Sequence, residues 1–242
     1  MTLRVVYPND RRSMEPSPLK ARELWDIAED VRKQLLPRRP TLCIDMDRLV
    51  RAAQKFLVNG IEIVAHWDLN RIVRDAKGRD ALGATEADPA LPGALLISLN
   101  AEIIAGRDYL QRSTLAHELG HALFDGPSML RQAGRPAFAI VTADEYHLSQ
   151  TARVRGRMDW REFRANEFMG ALLVPRGLLH RELVRRAIAL GLPLCDAGED
   201  QPVLRAAADP VRIEELLFDL AERFGVSASF IEYRLHRYEL VQ

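Results

Sequence analysis

STLAHELGHALF, residues 113–124, is the stretch that decides how this chain reads. Inside it His117, Glu118 and His121 form HExxH. Leu115, Ala116, Leu119, Ala122 and Leu123 are apolar between the polar positions, as a helix requires. Histidines at i and i+4 stand one turn apart on the same helical face. That spacing lets two imidazole nitrogens reach one tetrahedral metal ion, usually zinc. Glu118 follows the first histidine, which puts its carboxylate beside the ion. There it can take a proton from water and pass it to a leaving group. Asp108 is the expected N-cap, and Gly126-Pro127 is the expected stop. Gly120 costs a helix roughly 1 kcal/mol against Ala. Its place between the two histidines implies that something approaches the backbone closely.

A catalytic zinc takes a third protein ligand and keeps one position open for water. The stretch DWREFRANEFMGALL, residues 159–173, reads as a helix capped by Asp159 and closed by Pro175. It carries two candidates, Glu162 and Glu167. Five residues apart, they lie well over about 100° apart around the helix, so they cannot both face the metal. Glu162 shares its face with Ala165, Asn166 and Met169. Asn166 can accept the second ring N–H of a ligand histidine. Small Ala165 allows close packing on the HExxH helix. Glu162 is therefore favoured over Glu167. If neither serves, His147 beside Tyr146 is the main candidate, and the same two residues are candidate oxyanion donors.

The two segments together resemble the ImmA/IrrE family of small metallopeptidases. The resemblance rests on ISLN, then HELGH, then EFRANEFMGALLVP, in that order, and spans residues 19–175. It implies an α+β, mainly helical zincin-like core with a small β-sheet. It implies zinc on His117, His121 and Glu162, with Glu118 as base. The end of the chain, LAERFGVSASFIEYRL, resembles the helix-turn-helix-like pair that closes members of the family. The resemblance also implies a role: a regulatory endopeptidase that cleaves or inactivates a partner helix-turn-helix repressor or antitoxin, in stress, phage or mobile-element regulation. Two departures stand out. The gap from His121 to Glu162 is longer than the family's usual one, so an insertion covers or reshapes the cleft. Gly170 stands where the family commonly has Ala.

The totals fit this reading without proving it. The chain has 242 residues, 48% hydrophobic and 28% charged. With 34 basic and 34 acidic residues, net charge gives no argument for nucleic acid or an anionic membrane. The N-terminus lacks the apolar core of a signal peptide, and no apolar run is long enough to span a bilayer. Cys43 and Cys195 are in no CxxC pattern, so reduced thiols in a cytoplasmic protein are expected. The donor set admits Mn²⁺ or another divalent ion in place of Zn²⁺.

In chain order, residues 1–16 read as a flexible arm, 17–190 as the metallopeptidase domain and 203–242 as a C-terminal helical segment. Helices are expected over 17–35 and 45–57, the second closed by Asn59-Gly60. IEIVAHW (61–67) and ALLISL (94–99) read as strands, with a loop or weak hairpin over 74–93. A free edge on the second strand would pair with an extended peptide; a fully paired central strand is the alternative. Phe138–Thr142 reads as a short strand within an irregular region. The run of arginines from Arg153 to Arg164 reads as a solvated face. A DNA-binding regulator, or a zinc scaffold that displaces a repressor without cutting, is the rival. Residues 211–242 hold four Arg and six acidic residues, a poor balance for facing phosphates.

Overall fold

The structure is a computed structural model. It describes residues 2–36, 41–75, 77–88, 91–131, 138–142, 159–196, 202–205 and 209–242, with backbone only for 138–142. Tyr146, His147 and Arg153, Arg155 and Arg157 lie outside the described residues.

An Asn-Gly pair starts the sheet. Asn59 (φ 49°) and Gly60 (φ 84°) both occupy the left-handed region, as a tight hairpin turn demands. They join β2 (Lys55–Val58) to β3 (Ile61–Arg71) in antiparallel register, Val58 opposite Ile61. The helix expected over 45–57 is therefore corrected. It is α2 (Met46–Ala52), capped by Asp45, and the following residues are a strand. The apolar positions Phe56 and Val58 point inward at strand spacing rather than helical spacing.

The flexible arm is also corrected. Residues 3–5 form β1 (Leu3–Val5), parallel to β2, with Leu3 and Val5 buried. Two residues on, buried Tyr7 donates its hydroxyl to the carbonyl of Leu123 at 2.7 Å. The segment before the first helix is thus tied to the end of the HExxH helix.

The loop expected over 74–93 contains β4 (Ala81–Ala87), and β5 (Ala94–Asn100) follows it. The sheet is larger than the small one expected. Among the described residues six strands run in the order β1-β2-β3-β5-β4-β6, where β6 is Phe138–Thr142. β3 and β5 are parallel, and β4 is antiparallel to both β5 and β6. β5 is therefore central and fully paired, so the alternative without a free edge holds for it.

The helices expected around the motif are present. α1 (Ala21–Leu35) buries Leu24, Ala28, Val31 and Leu35 at helical spacing. The short α3 (Ala101–Ile104) leads into α4 (Asp108–Phe124), which holds HExxH. Pro127 does not end the helical path but opens α5 (Gly126–Arg131), where its missing N–H is harmless. α6 (Trp160–Leu173) is capped by Asp159, whose side chain accepts from the Arg161 amide. α7 (Arg176–Ala189) follows, then the hairpin β7 (Leu194–Asp196) and β8 (Pro202–Leu204).

α8 (Pro210–Phe224) and α9 (Ala228–Arg237) form the expected pair at the end. Gly225 turns with φ 67° and Ser227 caps α9 through the Phe230 amide. The divisions expected after residues 16 and 190 do not separate cores. One cluster of buried apolar residues runs from Leu3 to Leu240 and takes in Leu216, Leu220, Phe224, Phe230 and Ile231. The fold class is α+β. No helix among the described residues is long and apolar enough to cross a membrane.

Candidate metal centre

α4 lies between the sheet and α6, and every residue from Ser113 to Phe124 is buried. Its close fit to α6 comes from two small residues. A Cβ on Gly120 would sit 3.0 Å from the Cα of Ala165 and 3.3 Å from the Phe168 ring. Gly120 is thus the close-approach position that its cost to the helix implied. This contact brings Glu162, at the start of α6, over the two histidines.

The structure brings together His117, His121 and Glu162, a group that could hold a metal ion. The Nε2 atoms of the histidines are 3.0 Å apart. Glu162 places one carboxylate oxygen 3.4 Å from His117 Nε2 and the other 3.2 Å from His121 Nε2. The ring orientations are set from behind. His117 Nδ1 meets Asn166 Oδ1 at 3.1 Å, and His121 Nδ1 meets Asp125 Oδ2 at 2.8 Å. Both oxygens accept, so both Nδ1 atoms carry hydrogen and both Nε2 atoms are directed at the same point, where a metal can take the place of a proton. At that distance the two nitrogens need a proton or a metal cation between them. Two ligands at about 2.05 Å on a tetrahedral ion are about 3.3 Å apart, close to the spacing here. The donor set therefore fits a metal, and its two nitrogens and one carboxylate suit zinc among several divalent ions.

No family model matches this chain. No curated protein and no solved structure matches it either. The site must therefore be read on its own chemistry.

Electrostatics agree with the geometry. Burial opposes the charge on Glu162, but His121 and His117 outweigh it and hold its carboxyl well below the usual range. Asp125 is also buried, yet His121 and Arg164 keep its carboxyl below its ordinary value. Arg164 Nη2 donates to Asp125 Oδ1 at 2.6 Å. Glu118 differs. Burial raises its carboxyl, and the imidazoles and Thr85 offset this only in part. Thr85 of β4 donates to Glu118 Oε2 at 2.7 Å, while Oε1 is buried with no hydrogen-bond partner among the described residues. A buried carboxylate oxygen in that state is costly and calls for a proton, a water or a ligand as its partner.

The second candidate, Glu167, faces away from the histidines. It accepts from Trp25 Nε1 at 2.6 Å and from Arg237 Nε at 2.7 Å, and pairs with Arg234 at 3.3 Å. It fastens α9 to α6. Arg234 is buried to 1% exposure and lies over the Tyr238 ring. Two of the four arginines in residues 211–242, Arg234 and Arg237, are thus committed to an internal carboxylate.

Sequence reading missed three residues of the site. Asp125 had a signal, since it stands four residues after His121 on the same helix. Thr85 and Gly83 had none, because only the sheet brings β4 to α4. A Cβ on Gly83 would lie 2.7 Å from Glu118 Oε1, so this position must lack a side chain for Glu118 to keep its place.

Proposed function

We propose that this chain is a zinc-dependent endopeptidase of the ImmA/IrrE type. Its substrate on this reading is a partner protein, a helix-turn-helix repressor or antitoxin, acted on in a stress or mobile-element response. The observation that carries the peptidase reading is Glu118, buried on the same helix as the converging His117 and His121, with an Oε1 that has no hydrogen-bond partner among the described residues. A structural metal site would need only the ligands. A base left free beside them suits hydrolysis.

His117, His121 and Glu162 would hold the ion. When bound, zinc supplies a Lewis acid that polarises a carbonyl and lowers the pKa of a water towards ~7. The rest falls to the chain. Thr85 pins one oxygen of Glu118, and the other has no hydrogen-bond partner among the described residues. Glu118 takes the proton of the attacking water as the C–O bond forms, then gives it to the amine as the C–N bond breaks. Burial raises its carboxyl, which favours holding the proton between the two transfers. Asn166 and Asp125 keep the two rings in the tautomer that offers Nε2.

The test is cleavage of the partner repressor by purified protein, wild type beside Glu118→Gln. Zinc retained at about one ion per chain with cleavage abolished is the expected result. Relief of repression in cells by the Gln variant would replace the peptidase with a non-cutting scaffold.

A further inference from the structure

β4 is at once a wall of the candidate site and the partner of β6. On one side Thr85 holds Glu118 and Gly83 makes room for it. On the sheet edge, Ala139 of β6 stands opposite Thr85, and Val141 stands opposite Gly83. The other edge of β4 is taken by β5. β6 therefore holds the one lateral position from which another extended chain could pair with β4.

An extended peptide that adds to a sheet edge binds through main-chain hydrogen bonds, and every second residue lies on the same face. β6 satisfies this description from within the chain. It is antiparallel to β4, and FAIVT has the apolar and β-branched character that suits a strand. It sits in the connection between α5 and α6, residues 132–159, which is long for a compact domain. The pairing shifts register between Ala81 and Gly83, an irregularity of the kind that clusters beside active sites.

We propose that β6 occupies the edge of β4 at which an extended, apolar segment of the partner protein docks, so that docking requires β6 to leave. Taking that docked segment as the substrate rests on the peptidase reading; the edge position itself does not. A chain in this state is self-blocked, and its specificity follows the pattern of β6: small or β-branched residues opposite Gly83 and Thr85.

The experiment is amide hydrogen exchange over residues 81–87 of the zinc-loaded full chain. It compares wild type with the double variant Ile140→Pro and Val141→Pro. Adjacent strand residues direct their N–H groups to opposite sides, so one proline of the pair removes a ladder bond whatever the register parity. The probe is the synthetic peptide PAFAIVTAD, residues 136–144 of this chain. Exchange in β4 is expected to rise at least ~10-fold in the variant. The peptide should bind the variant at least ~10-fold more tightly than wild type and restore protection. Unchanged protection in the variant, or equal peptide binding to both proteins, overturns the proposal. If the prolines unfold α4 or release zinc, residues 138–142 are replaced by Gly-Ser-Gly-Ser-Gly. Loss of α4 protection there too makes β6 a strand of the fold and also overturns it. Zinc-dependent casein cleavage is read on the same samples. Peptide docking with no cleavage by any of them keeps the edge assignment and refutes the peptidase reading.

Discussion

Glu162 and Glu167 show how one helix gives the same residue type two different tasks. Five positions apart, they face different neighbours: Glu162 the two Nε2 atoms, Glu167 the two arginines of α9. Glu162→Ala should release the metal and leave a folded chain, because Glu162 is a third exposed and holds no other element. Glu167→Ala should keep the metal but cost about 3–5 kcal/mol, since it strands the buried Arg234 without its carboxylate. Metal content by mass spectrometry and urea unfolding separate the two outcomes; zinc loss only in the Glu167 variant would reverse the assignment. Gly83→Ala is the finer probe. The added methyl meets Glu118 Oε1, so cleavage should fall about 10²-fold with zinc content unchanged. Activity of the Ala variant within twofold of wild type would mean that Glu118 tolerates displacement. The importance of Glu162 and Asn166 was legible because helical spacing places them. Thr85 and Gly83 were not legible, because strand-to-helix proximity is written in the fold and not in any local pattern.

At the scale of elements, helices with strong periodicity and caps were legible almost to their ends. α6 matches its expected span because apolar spacing, Asp159 and Pro175 act locally; α4 begins one residue early, with Arg107 at the N-cap and the expected cap Asp108 in its first turn. Residues 55–57 were misread as helix because Phe56 fits either period over so short a run. Asn59-Gly60 was the deciding signal, being a hairpin turn and not a helix stop. β4 was misread as loop, since its glycine and small residues carry little strand propensity; its burial against α4 overrides that. The α4–α6 contact gives the prediction proper to this scale. Gly120→Ala gains up to about 1 kcal/mol of helix propensity, but the methyl presses on the backbone of Ala165, which has no flexible end to move aside. Overpacking of this kind costs about 1–3 kcal/mol, so a net loss of up to ~2 kcal/mol is expected. Weaker zinc binding should accompany it, because α6 carries Glu162. A variant more stable than wild type with unchanged zinc affinity would show that the two helices have slack.

For the whole molecule, the question is whether the last two helices are an appended module or part of the body that holds the metal site. Sequence suggests a module, because α8 and α9 are joined by a short turn and follow a turn-rich linker. Packing says otherwise. Arg112 of α4 donates to the carbonyls of Ile44 and Gly225, Tyr238 donates to Val174 at 2.9 Å, and Glu167 gathers Trp25, Arg234 and Arg237 at one point. Gly170 completes this clasp. A Cβ there would collide with the guanidinium of Arg234, so the clasp needs glycine at this position. The metal should therefore stabilise everything at once. A ligand held at 100 times its Kd adds about 2.7 kcal/mol to the folded state. For a chain of this size that is roughly 5–10 °C in Tm. Calorimetry with excess zinc, then with chelator, should show a single transition that moves down by that amount, with the tail melting alongside the core. The Glu162→Ala protein should melt at the chelated temperature whether or not zinc is added. A second transition indifferent to zinc would detach the terminal pair from the core. It would also return to that pair the independence that a DNA-reading module needs.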